Sequence, residues 1–158
     1  MLSEFIEYCC NGSSHDKNHI WLKTNIRMLR TMDVYNGYIH ACCNGHIDIV
    51  KFIVENCTSM FCFDQDDDGI AHELKGIQCA ILTGNYGVVL YLLDYKPNKH
   101  LHDYVFDSAC DNNCIILIDS LHRMNCKIDH TFNYARGLRV ACEKNYEQLL
   151  KLMLFHDH

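Results

Sequence analysis

The chain has 158 residues, 49% of them hydrophobic and 22% charged, with a net charge of −6 from 14 Lys and Arg against 20 Asp and Glu. That length suits one domain with its own core, and the ordinary apolar fraction excludes an intrinsically disordered chain. No basic excess is present to neutralise phosphates, so nucleic acid is not an expected partner.

From the N-terminus, residues 1–32 predict a degenerate hairpin or cap. Met1 to Gly12 carries Glu4 and Glu7 and lacks the basic-then-apolar order of a signal peptide. A helix is expected near Asn18 to Thr31, with Ile20, Trp21, Ile26, Met28 and Leu29 facing inward. Residues 33–67 hold the clearest unit, built on Ala41-Cys42-Cys43-Asn44-Gly45-His46-Ile47-Asp48-Ile49-Val50, and end in an acidic insertion at 64–69. Residues 72–100 follow with Ala80 to Leu93. The uncharged run Gly76 to Leu93 is broken by Thr83-Gly84-Asn85, so it reads as two short buried helices rather than a membrane span. Residues 101–130 contain Ala109 to Ile118, and residues 133–158 contain Ala141 to Leu154. The last helix is apolar nearly all round at Leu149, Leu150, Leu152, Met153, Leu154 and Phe155, where a solenoid needs a polar outer cap. Either the chain associates through that end or the array is truncated.

These strings are copies of one another. Their anchors fall at Tyr8, Ala41, Ala80, Ala109 and Ala141, in steps of 33, 39, 29 and 32 residues. In each, a segment of about eight residues stops at Gly or Asn, residues that tolerate a left-handed helix end. A second segment follows with apolar residues at i, i+1, i+4 and i+5, as in Ile49, Val50, Ile53 and Val54. Such short helices are marginal alone, so each hairpin must bury its stripe against the next. The expected fold class is all-α, one domain over residues 1–158, a solenoid of stacked helix–turn–helix units.

The run Asn44-Gly45-His46-Ile47-Asp48-Ile49-Val50-Lys51, at this period, resembles the helix-to-helix core of an ankyrin repeat. The resemblance covers residues 34–158 best. It implies an ankyrin-type solenoid with short or degenerate hairpin loops. The family's Thr-Pro-Leu-His turn would correspond to Asn36-Gly37-Tyr38-Ile39, Lys75-Gly76-Ile77-Gln78, Tyr104-Val105-Phe106-Asp107 and Arg136-Gly137-Leu138-Arg139. Gly in place of Pro there predicts flexible turns. The lone Pro97 lies elsewhere, just past a second helix. In its Asn-, Ile-, Lys- and Tyr-rich usage the chain is similar to ankyrin-repeat proteins of large DNA viruses of amoebae.

Three kinds of chemistry compete with that reading. Asp64-Gln65-Asp66-Asp67-Asp68-Gly69 matches the opening of a calcium-binding EF-hand loop, with Asp64, Asp66 and Asp68 as alternating oxygen donors. The closing position is Lys75 instead of Glu, so a solvated insertion is the expected reading and a calcium-responsive module the alternative. The 11 Cys and 11 His suggest zinc, yet no Cys-x2-Cys pair exists. Cys42, Cys110 and Cys142 share one register position and Cys79 precedes its anchor, so they read as small core residues with reduced thiols. A cysteine-dependent enzyme is a further alternative, but no nucleophile, phosphate-loop or zinc-protease motif occurs, and no catalytic residue, cofactor or metal is expected.

The expected function is protein recognition, without catalysis, in an intracellular, cytoplasmic setting (host cytoplasm if viral). The resemblance implies a concave surface built from His40, Cys43, Asn44, Leu82, Thr83, Asp111, Asn112, Glu143 and Lys144. Loop residues Tyr35, Asp66, Asp67, Asp68, His102 and His130 would add to it. The acidic balance favours a partner, such as a host protein, with a basic surface. No membrane contact is expected.

Overall fold

The computed structural model describes residues 2–12, 23–57, 69–95, 99–124, 126, 128 and 131–155. Among these every regular element is helical. The expected inward residues Ile20 and Trp21, the acidic positions Asp64, Asp66, Asp67 and Asp68, and His130 lie outside the described residues. The chain divides into two compact units, Met1–Tyr91 and Leu92–His158.

In the first unit, α1 spans Leu2–Asn11, a 3-10 turn covers Ile26–Met28, α2 spans Thr31–Cys43, α3 Ile47–Asn56 and α4 Gly69–Leu82. The helix α5, Tyr86–Tyr95, runs across the division. α2 is the hub: it packs on α1, on α4 and on its hairpin partner α3. Its core comprises Phe5, Val34, Tyr38, Ile49, Ile53, Ile77 and Ile81, all close to fully buried. The stripe Ile49, Val50, Ile53 and Val54 is buried as the spacing predicts. In the second unit, α6 (Lys99–Asp111) and α7 (Ile115–Arg123) form one hairpin, α8 (Asn133–Glu143) and α9 (Glu147–Phe155) another. α6 packs on both α7 and α8, and α9 packs on α7 and α8. Phe106, Leu117, Ile118, Leu121 and Leu149 fill that core without exposure.

The helix stops sit at Gly12, Gly45, Gly84, Asn113 and Asn145, all with φ between 55° and 78°. Each lies four residues past its anchor. At Gly45 the stop donates to Cys42 O and His46 N to Ala41 O; the pairs Gly84/Asn85, Asn113/Cys114 and Asn145/Tyr146 repeat both bonds. This paired closure satisfies the last carbonyls of the first helix and turns the chain directly into the second. Side chains reinforce it. Asn44, Thr83 and Asn112 each donate to the carbonyl four residues back, at 2.8 Å.

The first helices are longer than expected, at 11 to 14 residues for α2, α4, α6 and α8. Gly37, Gly76 and Gly137 are therefore mid-helix residues, not turns, and their role is close approach. A Cβ on Gly37 would meet Phe5 Cε1 at 2.3 Å, one on Gly76 would meet Tyr38 Cε1 at 2.3 Å, and one on Gly137 would meet Phe106 Cε1 at 3.3 Å and Met153 Cε at 2.8 Å. Each glycine lies four residues before its anchor. Each ring lies three before the preceding anchor in its unit. The flexibility expected of these glycines is replaced by a ring slot, which costs helix propensity and gains aromatic packing.

Other expectations are corrected as well, the first two by the same extension. Tyr35 (6% exposed) and His102 (8%) were expected in exposed loops, but they lie on α2 and α6 and are buried. Met28 was expected inward and is 74% exposed in the 3-10 turn, whereas Ile26 is buried. Cys42 and Cys110 are buried, Cys110 against Gly137 of α8, but the register-equivalent Cys142 is exposed.

Candidate functional site

What the molecule shows outward is set by its tips. In the first unit the tip of one hairpin is tied to the next through a single carbonyl position, two residues past the anchor. His46 Nε2 bonds Cys10 O at 3.0 Å, and Asn85 Nδ2 bonds Cys43 O at 2.7 Å. A ring N–H facing a carbonyl must be the donor, which fixes the His46 tautomer. His46 and Asn85 both stand five residues past their anchors. They also lie over the preceding stop: a Cβ on Gly12 would be 2.7 Å from the His46 ring and one on Gly45 2.5 Å from Asn85 Oδ1. Glycine there serves both backbone conformation and clearance.

In the second unit the equivalent carbonyl, Asp111 O, is taken by Lys144 Nζ at 2.8 Å. A cation at a helix C-terminus also answers the carbonyl end of the helix dipole. Charge dominates beside it. Arg136 Nη2 donates to Asp111 Oδ2 at 2.7 Å, and Arg136 Nη1 lies 3.2 Å from Asp107 Oδ1. Burial raises the Asp107 carboxyl above its ordinary range despite the opposing pull of Arg136. Arg136 in turn is held further toward its charged form, first by its bond to Asp111. Behind this pair the Phe106 and Tyr134 rings stack at 5.8 Å, and Tyr134 Oη donates to Met153 O at 2.5 Å.

Of the residues expected to meet a partner, His40, Asn44, Leu82, Thr83, Asn112, Glu143 and Lys144 are exposed. Cys43 and Asp111 are half-buried. The structure groups them by unit: His40, Cys43, Asn44, Leu82 and Thr83 around the α2 and α4 ends, and Asp111, Asn112, Glu143 and Lys144 around the α6 and α8 ends. Asn44, Thr83 and Asn112 already spend a donor on their own helix, which holds them as rigid tip residues. Arg136, Asp107, His46 and Asn85 were not among the expected site residues. Their shared or neighbouring register positions are the signal that could have found them.

Burial pushes the Cys9 and Cys110 thiols up to about 12 and Cys42 higher still, so they stay protonated near neutrality. Among the described residues no three His, Cys, Asp or Glu side chains converge to hold a metal ion. None of the described helices is long and apolar enough to cross a membrane.

No known protein-family model, curated protein or solved structure matches the chain.

Proposed function

We propose that the hairpins of each unit are divergent ankyrin-type repeats and that the protein is a non-enzymatic recognition module, gripping a protein partner at its tips and the outward edges of its first helices. One observation carries this reading. The stop repeats at all five anchors and its paired bonds at four of them, while the residue two past the anchor changes: Cys10, Cys43, Leu82, Asp111, Glu143. A frame held constant under a side chain that varies is how a repeat protein builds a specific surface. Leu82, at 61% exposure, is the apolar anchor of the first unit, and the acidic positions of the second favour a partner with a basic surface. An intracellular, cytoplasmic setting accords with the free thiols, and the viral resemblance makes a host protein the natural partner.

The test is affinity capture from a cell lysate with the intact chain and with a Leu82→Asp/Glu143→Lys variant of unchanged circular dichroism. A saturable partner whose affinity falls about tenfold or more on the variant supports the reading, since that loss corresponds to about 1.4 kcal/mol. Capture profiles identical for the two proteins overturn it.

A further inference from the structure

The last hairpin, α8 with α9, keeps core-type residues at positions that it does not bury. One residue past the anchor, Cys42, Ile81 and Cys110 are at most 2% exposed, but Cys142 is exposed. Three before the anchor, Tyr38, Ile77 and Phe106 are fully buried, while Leu138 is half-buried. The second helices repeat the contrast. Nine past the anchor Val50, Val89 and Ile118 are sealed, and Leu150 is half-buried. Thirteen past it Val54 and Leu93 are sealed, and Leu154 is 58% exposed. At the next position the other second helices turn Glu55, Asp94 and Arg123 to solvent, whereas α9 carries Phe155. On α6 the first-helix positions of this set are Phe106 and Cys110, the residues that face Gly137 of α8. They are stacking positions, so α8 and α9 present the apolar side chains of a stacking face to water.

We propose that this face binds the same face of a second copy of the chain, with the two α8 helices antiparallel across a twofold axis. The charges on α8 select that occupant. Arg139 Nε and Glu143 Oε1 lie 3.9 Å apart, one turn from each other on a helix, and the side chains are 68% and 66% exposed. At 3.6 residues per turn they flank the line of Ala135 and Cys142, and Leu138 falls on its other side. Two antiparallel helices bring like flanks together. An axis near Ala141 therefore sets each Arg139 against Glu143 of the second copy, and the pairing occurs twice. The small Ala135 and Cys142 allow close approach, and α9, packed on α8, adds Leu150 and Leu154. Docking on α1 of a second copy has no such match. That helix carries Glu4 and Glu7 exposed and no Lys or Arg to meet Glu143. Helices of 11 and 9 residues give a face about 15 Å long, below what the roughly 1,200–2,000 Å² of a standard interface needs, so the dimer is weak and reversible. The pairing does not depend on which protein the tips grip.

Sedimentation equilibrium of the folded full chain, kept reduced with dithiothreitol, reads the association. The mass should rise with concentration from one chain toward two and stop there. Arg139→Glu and Glu143→Arg should each weaken dimerisation about tenfold or more, because each sets like charges against one another at both pairings. An equimolar mixture of these two variants should dimerise again, since each then meets the opposite sign in the other. Glu143 stands both on this face and at a tip, and only the first use predicts that mixing restores what each variant lost. Leu154→Asp should weaken the dimer as well, and circular dichroism of every variant separates a lost dimer from a lost fold. A chain still monomeric at about 1 mM overturns the proposal. So do masses that grow past two chains, charge variants that dimerise like the parent, or a mixture that stays monomeric.

Discussion

The first and second units make the same joint with different chemistry. In the first, ring and amide N–H donors from His46 and Asn85 cap the preceding helix, and two ring slots, Phe5 on Gly37 and Tyr38 on Gly76, set the spacing. In the second, Phe106 on Gly137 repeats the slot, but Lys144 and Arg136 supply the ties to α6 as charges. Packing geometry is thus the shared element, and the polar tie is free to differ. The slots should therefore dominate stability in both units, and only the second should respond to salt through its tip.

The largest effect should come from emptying a slot. Phe5→Ala and Phe106→Ala should each cost about 3–5 kcal/mol in urea unfolding, because both rings are fully buried. A marked inequality between them would break the claim that the slot is common to both units. Filling a slot comes next. Gly76→Ala should destabilise by about 1–3 kcal/mol although alanine is the better helix former by about 1, since the Tyr38 ring is buried and cannot retreat. A net gain in stability would show that the ring yields.

The ties should cost less and differ in kind. Arg136→Ala should lose about 1–2 kcal/mol, less at high salt, by leaving two partly buried aspartates unpaired. Asn85→Ala should lose about 1 kcal/mol with little salt dependence, because it strips a neutral bond from Cys43 O. Equal salt dependence in the two variants would erase the contrast between the units.

The smallest effects are in acid, and they have opposite signs. The Arg30 guanidinium hydrogen-bonded to Asp33 lowers that carboxyl, so its stabilisation is present above the unfolded value of about 3.9 and is lost as pH falls through the folded one. Asp107 is raised by burial, so the folded state takes its proton first and gains stability as pH falls through its folded value toward about 3.9. Carboxyl titration by NMR should place Asp33 below and Asp107 above that reference. Both on the same side would refute the assignment.

How much of this was legible in the sequence follows from what each residue depends on. The tips were readable because a left-handed stop admits few residues, and Gly12, Gly45, Gly84, Asn113 and Asn145 announce it locally. The slots were not, because a helical glycine is recognised by what faces it, and in the sequence Gly37 and Gly76 look like turn residues. A turn there implies shorter first helices with Tyr35 and His102 in loops, whereas both lie on helices. Cys142 differs for a related reason: its own register matches Cys42 and Cys110, but burial depends on what packs against a residue, which register alone does not report. The outward residues were easier, since His40, Asn44, Leu82, Thr83, Asn112, Glu143 and Lys144 follow directly from the stops.

The slots have one more consequence, for how such a chain can evolve. An aromatic ring three before one anchor is followed, a hairpin later, by glycine four before the next: Phe5 by Gly37, Tyr38 by Gly76, Phe106 by Gly137. Ile77 and Leu138 are the aliphatic residues at the ring position, and Val105 stands where the hairpin after Ile77 would carry its glycine. The hairpins are therefore not interchangeable beads. One carrying Val at that place could not be seated behind Tyr38, so a duplication or deletion that sets a ring against Val loses the slot, and within each unit the order of the hairpins is inherited as a sequence of matched keys.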